Sequence, residues 1–178
     1  MIDPRTFRLW GYRLLFVLIG GVLTFVLILP LSLRTGLIPG PDLMLALIFA
    51  WSLRRPEYVP ILLVAGLVFL TDMLMQNPPG LRAALVLLGL EFLRGRGGGP
   101  DMPFAAEWSL VIAIMSLILL GERLVLGVFM VEQVSFGKSI LRLVVTAATY
   151  PLVVAVSVYL FRVRRVAPGE ADALRQRA

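Results

Sequence analysis

The stretch AGLVFLTDMLMQNPPGLRA, residues 65–83, sets the pattern of the whole chain. It begins as an apolar helix, carries one carboxylate, Asp72, near the helix end, and turns through Asn-Pro-Pro-Gly at residues 77–80. A second apolar helix then starts, with Arg82 in its first turn. An ionisable group in such an apolar run is costly in lipid, so we expect Asp72 to face protein or water and to have a partner.

The composition places the chain in the membrane class. Of its 178 residues, 59% are hydrophobic, whereas a soluble domain has about 45–50% apolar residues. Cysteine and histidine are both absent, which removes thiol nucleophiles, disulfides, Cys/His metal sites and a histidine general base. The net charge of +6 is typical of positive cytoplasmic loops in a membrane protein and does not indicate nucleic-acid binding.

Six apolar segments predict an all-α, polytopic membrane protein with six transmembrane helices. The first segment has 20 residues and is about 30 Å long as a helix, enough to cross the hydrocarbon core. A signal peptide is the alternative, but the segment is too long and no small-residue cleavage site follows. The second and fourth segments are short. The second is predicted to be a partial or thin-membrane span, which is tolerated where neighbouring helices cover it. The predicted spans are residues 14–33, 43–53, 58–75, 81–93, 104–120 and 140–161.

Two further segments complete the predicted domain organisation. Residues 121–139 contain only eight consecutive apolar residues, too few to cross a bilayer. They are either a re-entrant or interfacial piece, or an extension of the fifth helix. Residues 162–178 are polar and basic and are predicted to form a cytoplasmic tail after the six-helix domain of residues 1–161.

The distribution of basic residues predicts the orientation. With six crossings both termini lie on one side of the membrane. That side holds 12 of the 17 basic residues and the other side holds five. Because basic residues favour cytoplasmic loops, both termini are predicted to be cytoplasmic.

Three charged residues are predicted to lie toward the outer face. Asp42 precedes the second helix and is predicted to cap its free N–H groups. Asp72 is interpreted as a structural acceptor that takes N–H groups of the adjacent turn or pairs with Arg82; a proton or ion site is the alternative. The structural role predicts that Asp72→Ala is destabilising and that Asp72→Asn is milder.

The inner ends of the helices carry two further signals. Arg54-Arg55-Pro56 is interpreted as a positive cytoplasmic turn, and docking of a cytoplasmic partner is the alternative. Pro56 disfavours helical geometry at Arg55, so we expect the second helix to end there. Glu91 and Arg94 have the spacing of an i,i+3 ion pair. No serine–lysine, paired-carboxylate or metal-ligand pattern is found, so neither an enzyme nor a cofactor is predicted.

The order of these features resembles the MreD family of rod shape-determining membrane proteins. The informative match covers residues 41–84. The chain departs from the family at Pro78-Pro79 and at Arg82, where the family usually has more apolar or small residues. The matching residues are Pro41-Asp42-Leu43, Arg54-Arg55-Pro56, Gly66-Leu67, Asp72, Pro79-Gly80-Leu81, Ala83 and Ala84.

The resemblance implies a non-enzymatic scaffold of the bacterial cell-elongation complex in the inner membrane. Its expected partners are a single-span MreC-like protein, the MreB filament, RodA and a penicillin-binding transpeptidase; homodimerisation is left open. The family's fold is similar to that of the vitamin-binding S components of energy-coupling-factor transporters, and such an S component is the alternative function. The candidate structural or partner-binding residues are Asp42, Arg55, Pro56, Gly66, Asp72, Pro79, Gly80 and Arg82.

Overall fold

The computed structural model describes residues 4–29, 40–96 and 102–163, and these residues form an all-helical bundle. The predicted all-α fold is confirmed. A short 3-10 turn, Pro56–Tyr58, joins the second helix to the third. The six α-helices are α1 (Pro4–Ile28), α2 (Leu43–Arg54), α3 (Ile61–Leu74), α4 (Leu81–Arg96), α5 (Phe104–Val128) and α6 (Phe136–Tyr159).

Helix α2 is the shortest of these helices and the most deeply buried. Its 12 residues are about 18 Å long, and every residue from Met44 to Arg54 is buried. It packs mainly against α6, and also against α4 and α1. The expectation that neighbouring helices cover this short segment is therefore confirmed. A helix that is apolar on all its faces is stable only when it is buried on every side.

The start of α1 and the end of α6 lie at the same end of the bundle. The Tyr12 hydroxyl donates to the carbonyl oxygen of Phe161 at 3.3 Å. Helices α2 and α6 run parallel, because the N–H of Asp42 donates to the Thr146 hydroxyl and the Trp51 indole donates to Ser157 further along both helices. Helix α6 begins ten residues before Thr146, or about 15 Å, so the N-terminus of α2 is recessed within the bundle.

The segment after the fifth predicted span extends that helix. Helix α5 continues to Val128, eight residues beyond the predicted end at residue 120, and α6 then begins at Phe136. Of the two alternatives for residues 121–139, the structure supports the extension for residues 121–128. The side chain of Leu85 packs against Gly121, so the extension is held against α4.

The helix boundaries correct the predicted spans at several points. Helix α1 begins at Pro4, ten residues before the predicted span, and α3 begins at Ile61 after a proline. Helix α6 ends at Tyr159, and the chain then turns so that Val163 is buried and its N–H donates to the carbonyl oxygen of Ser157. The predicted basic tail lies outside the described residues from position 164 onward, as do residues 97–101 of the glycine-rich loop.

Three helices of the described chain are long and apolar enough to cross a membrane: Thr6–Ile28, Phe104–Val128 and Phe136–Tyr159. Helices α2 and α3 are apolar but shorter. Large apolar side chains are exposed around the bundle, including Phe7, Leu62 and Met130. A surface of this kind is typical of a protein whose solvent is lipid.

Candidate functional site: two buried polar clusters at the ends of α2

Asp42 organises the polar groups at the N-terminal end of α2. Its carboxylate accepts a hydrogen bond from the Leu45 N–H at 3.1 Å, so it is the N-cap of α2, as predicted. The same carboxylate pairs with Arg82, and with Arg142 at a Nη2–Oδ2 distance of 3.4 Å. Asp42 therefore joins α2 to α4 and α6 through two guanidinium groups.

Arg82 extends this network to α5. Its Nε lies 3.8 Å from Oε1 of Glu122, and its guanidinium also pairs with Asp42. The expected ion pair between Arg82 and Asp72 is not formed, which corrects the sequence interpretation: Arg82 pairs with the carboxylate 40 residues away instead. We call the five charged residues around this end of α2 the open cluster: Asp42, Asp72, Arg82, Glu122 and Arg142.

Asp72 is fully buried, with a relative exposure of 0%. Neither carboxylate oxygen has a hydrogen-bond partner in the part of the chain that the structure describes. The backbone N–H groups of Gly80 and Ala83 are close enough to act on this carboxylate, but neither meets the distance and angle of a hydrogen bond. The N–H of Asn77 does bind Asp72, but at its main-chain oxygen, at 3.0 Å. The prediction that the turn satisfies the carboxylate is therefore wrong for its side chain.

A cavity of about 200 Å³, which we call the chamber, lies beside the open cluster. Asp42, Asp72, Arg82 and Arg142 line it together with apolar residues of α1, α2, α3 and α4. A second cavity of about 340 Å³ shares Arg82 and Arg142 with it and is bordered by the turns that follow α3 and α5. The chamber exists because the neighbouring helices continue past the recessed start of α2. It can accommodate a small organic group with both charged and apolar surfaces.

A second buried network occupies the C-terminal end of α2, and we call Arg54, Glu107 and Tyr150 the closed cluster. Two parallel contacts join Arg54 to Glu107, with N–O distances of 2.8 and 3.3 Å. The Tyr150 hydroxyl donates to Glu107 Oε1 at 2.6 Å, and Arg54 also donates to the carbonyl oxygen of Ala50. Glu107 and Tyr150 are 0% exposed and Arg54 is 5% exposed.

The sequence interpretation did not find the closed cluster. Arg54 was interpreted as part of a cytoplasmic turn, and Glu107, within the predicted fifth span, was not singled out. The available signal was the same one that singled out Asp72, namely an ionisable residue adjoining a long apolar run. Applied to Glu107, that rule requires a buried cationic partner, and Arg54 is that partner.

The remaining candidate residues lie away from the chamber or in the turn beside it. At the opposite end of α2, Arg55 pairs with Glu57 at 3.1 Å and Pro56 starts the 3-10 turn. Gly66 is exposed on α3, and a Cβ added there would meet nothing within 4 Å. Pro79 is exposed in the turn before α4, where Gly80 has a φ of +85° that favours glycine.

The fold and the clusters define the protein as an all-helical chain with three candidate membrane-spanning helices. Within the described ranges no group of three or more Asp, Glu, His or Cys side chains is arranged to hold a metal ion. No family model, no curated protein and no solved structure matches the chain.

Proposed function

We propose that the protein is a non-enzymatic membrane scaffold of the cell-elongation complex that binds an MreC-like single-span protein and supports peptidoglycan synthesis. The observation that supports this function is where the residues resembling MreD lie. Asp42 caps the start of α2 and pairs with Arg82, while Arg54, the last residue of α2, forms an ion pair with Glu107. Residues at both ends of the central helix therefore carry the resemblance, as is expected of a motif that defines a fold.

The proposed location is the bacterial inner membrane, with six spans and both termini cytoplasmic. The start of α1 and the end of α6 lie at one end of the bundle, which fits an even number of crossings. A reporter enzyme that is active only in the periplasm, fused after Ala178, should be inactive. Periplasmic activity of that fusion would contradict the six-span topology.

A scaffold of this kind acts by binding helices of other proteins, with MreB, RodA and a transpeptidase as further partners of the same complex. Association between transmembrane helices depends on close packing, and small residues allow the backbones to approach. Gly66 offers such a position, because it is exposed on α3 and no atom lies within 4 Å of an added Cβ. We propose the face of α3 around Gly66 as the docking surface for the MreC-like helix.

Co-purification in mild detergent tests this function. The wild-type protein should retain a single-span MreC-like protein, and Gly66→Leu should reduce the recovered partner several-fold without changing the thermal midpoint of the isolated protein. Gly11→Leu is the matched control, since Gly11 is also a helical glycine with open space around it. Failure of the wild-type protein to retain the partner would contradict the scaffold, whereas normal retention by Gly66→Leu would contradict this docking surface.

An S component of a vitamin transporter is the second candidate function, and the chamber is the observation that favours it. Charged and apolar residues line the same cavity of about 200 Å³, as a binding site for a small molecule requires. This function predicts co-purification with an ATPase module and recovery of a vitamin at near-stoichiometric yield. Either result, in the absence of an MreC-like partner, would decide in its favour.

A further inference from the structure

Four of the five residues of the open cluster neutralise one another. Arg82 pairs with Asp42 and Glu122, and Arg142 also pairs with Asp42. Two carboxylates and two guanidiniums therefore balance in charge. Asp72 is the fifth charged residue, and among the described residues its carboxylate has neither a hydrogen bond nor a close ion pair. Glu122 Oε1 also lacks a hydrogen bond there, but it lies 3.8 Å from the Arg82 guanidinium.

Such a carboxylate is costly in a protein interior, because burial removes its hydration without replacing it. Asp72 is 0% exposed and lines the chamber. Arg82 acts on Asp72 only through space, without a close ion pair. An occupant of the chamber with a cationic N–H group can therefore supply the hydrogen-bond donors that this carboxylate lacks among the described residues. The same requirement does not arise at Glu107, whose partners Arg54 and Tyr150 are built into the fold.

The walls of the chamber indicate the class of occupant. Apolar side chains such as Leu27, Ile48 and Val68 line it beside Asp72. Its volume of about 200 Å³ is well above the roughly 10–15 Å³ that a single water molecule needs by the same measure. In the described chain no set of three acidic, histidine or cysteine side chains surrounds it. These features favour an organic group over a coordinated metal ion.

We propose that the chamber binds an organic ammonium group, which pairs with the carboxylate of Asp72 while the rest of the ligand contacts the apolar wall. Arg142, whose side chain is 42% exposed, lines both the chamber and the second cavity of about 340 Å³. An anionic group on the same ligand would meet this guanidinium. A soluble amine and the ethanolamine headgroup of a phospholipid both have this chemistry. The proposal does not depend on the scaffold function, because it concerns the cavity and not the surface of α3.

The first test uses the purified wild-type protein in detergent and measures its thermal midpoint. A ligand that binds only the folded state raises the midpoint. Ethanolamine should raise it by a few degrees, phosphoethanolamine should raise it further, and ethylene glycol or sodium chloride at equal ionic strength should not. A parallel measurement in nanodiscs compares phosphatidylethanolamine with phosphatidylglycerol. A shift with the soluble amines identifies a soluble ligand, and a shift only with phosphatidylethanolamine identifies the lipid; no shift in either series would overturn the proposal.

The second test uses variants of the same protein. Asp72→Asn should bind ethanolamine or phosphatidylethanolamine at least tenfold more weakly, since it removes the negative charge to which the proposed ammonium group would hydrogen-bond. Arg142→Gln should abolish the advantage of phosphoethanolamine over ethanolamine. Glu91→Gln is the matched control, because it removes a carboxylate at the opposite end of α4 and should bind as the wild type does. Undiminished binding by Asp72→Asn would overturn the proposal, and if that variant does not fold, the comparison of ethanolamine with ethylene glycol on the wild type decides.

Discussion

The two ends of α2 carry similar charged groups, but the buried carboxylates differ in how fully they are paired and hydrogen-bonded. In the closed cluster Arg54 and Glu107 form two parallel contacts, and the Tyr150 hydroxyl donates a further hydrogen bond to the Glu107 carboxylate. In the open cluster Asp42 and Arg82 pair beside a cavity, and Asp72 has no hydrogen-bond partner in the described chain. In this fold, a buried charge that neighbouring side chains pair and hydrogen-bond has a structural role. A buried charge without such partners is the one that we propose binds a ligand.

The surroundings of the two ends explain this difference. Aromatic rings cover the C-terminal end of α2: Trp51 packs against Phe16 and Phe161, and Tyr12 stacks on Tyr58 with ring centroids 4.4 Å apart. The N-terminal end lies about 15 Å below the start of α6, and the chamber occupies the space that remains. Packing therefore buries the closed cluster, whereas the open cluster lies beside the chamber.

The largest expected effect concerns the closed cluster. Glu107→Ala should destabilise the protein by about 3–5 kcal/mol, because it leaves the buried guanidinium of Arg54 without its carboxylate. Its level in membranes and its thermal midpoint in detergent should both fall sharply. Glu107→Gln should cost less, since it keeps the shape and an acceptor for the Tyr150 hydroxyl. An unchanged thermal midpoint for Glu107→Ala would show that the closed cluster does not stabilise the fold, contrary to the contrast drawn with the open cluster.

A smaller loss is expected at the open cluster. Arg82→Gln should cost about 1–3 kcal/mol, because Asp42 loses its principal ion pair but keeps the Leu45 N–H and Arg142. Arg142→Gln should cost at most about 1 kcal/mol, since its contact is long and its side chain is partly exposed. Thermal midpoints of the two variants, measured side by side, check this order. The reverse order would show that Arg142 is the main partner of Asp42.

Replacing Asp72, unlike the residues above, should not lower the stability of the protein. Without a bound ammonium, Asp72→Asn removes a buried charge that has no hydrogen-bond partner among the described residues, so it should leave stability unchanged or raise it by about 1 kcal/mol. This expectation replaces the sequence-based one, in which the change was mildly destabilising. Midpoints measured in ligand-free detergent distinguish the two. A clear loss of stability would show that the carboxylate has a structural partner after all.

The smallest effect is expected on the surface of α4. Glu91 lies 3.6 Å from Arg94, as the i,i+3 spacing predicts, but its side chain is 57% exposed. Glu91→Gln should therefore change the free energy of unfolding by less than about 1 kcal/mol. The variant serves as the reference for both clusters, since it removes the same kind of charge where it is solvated. A large change there would indicate that the pair is buried by something outside the chain.

Local features were predictable from the sequence alone. The six helical segments follow from apolar runs interrupted by proline, glycine and charge. The cap at Asp42 and the end of α2 at Arg55 follow from chemistry within a few residues along the chain, where Arg55 has a non-helical φ of −146° and ψ of 80° before Pro56. The i,i+3 pair of Glu91 and Arg94 is of the same local kind.

The pairing of the charges was decided by the tertiary structure alone. Arg82 is ten residues from Asp72 in sequence but pairs with Asp42, 40 residues away, and Arg54 finds Glu107 across 53 residues. The physical reason is that burial makes a partner necessary, while helix packing determines which partner is within reach. Sequence spacing therefore identified the charges that need partners, and the recessed position of α2 determined that Asp72 is the one left beside an open cavity.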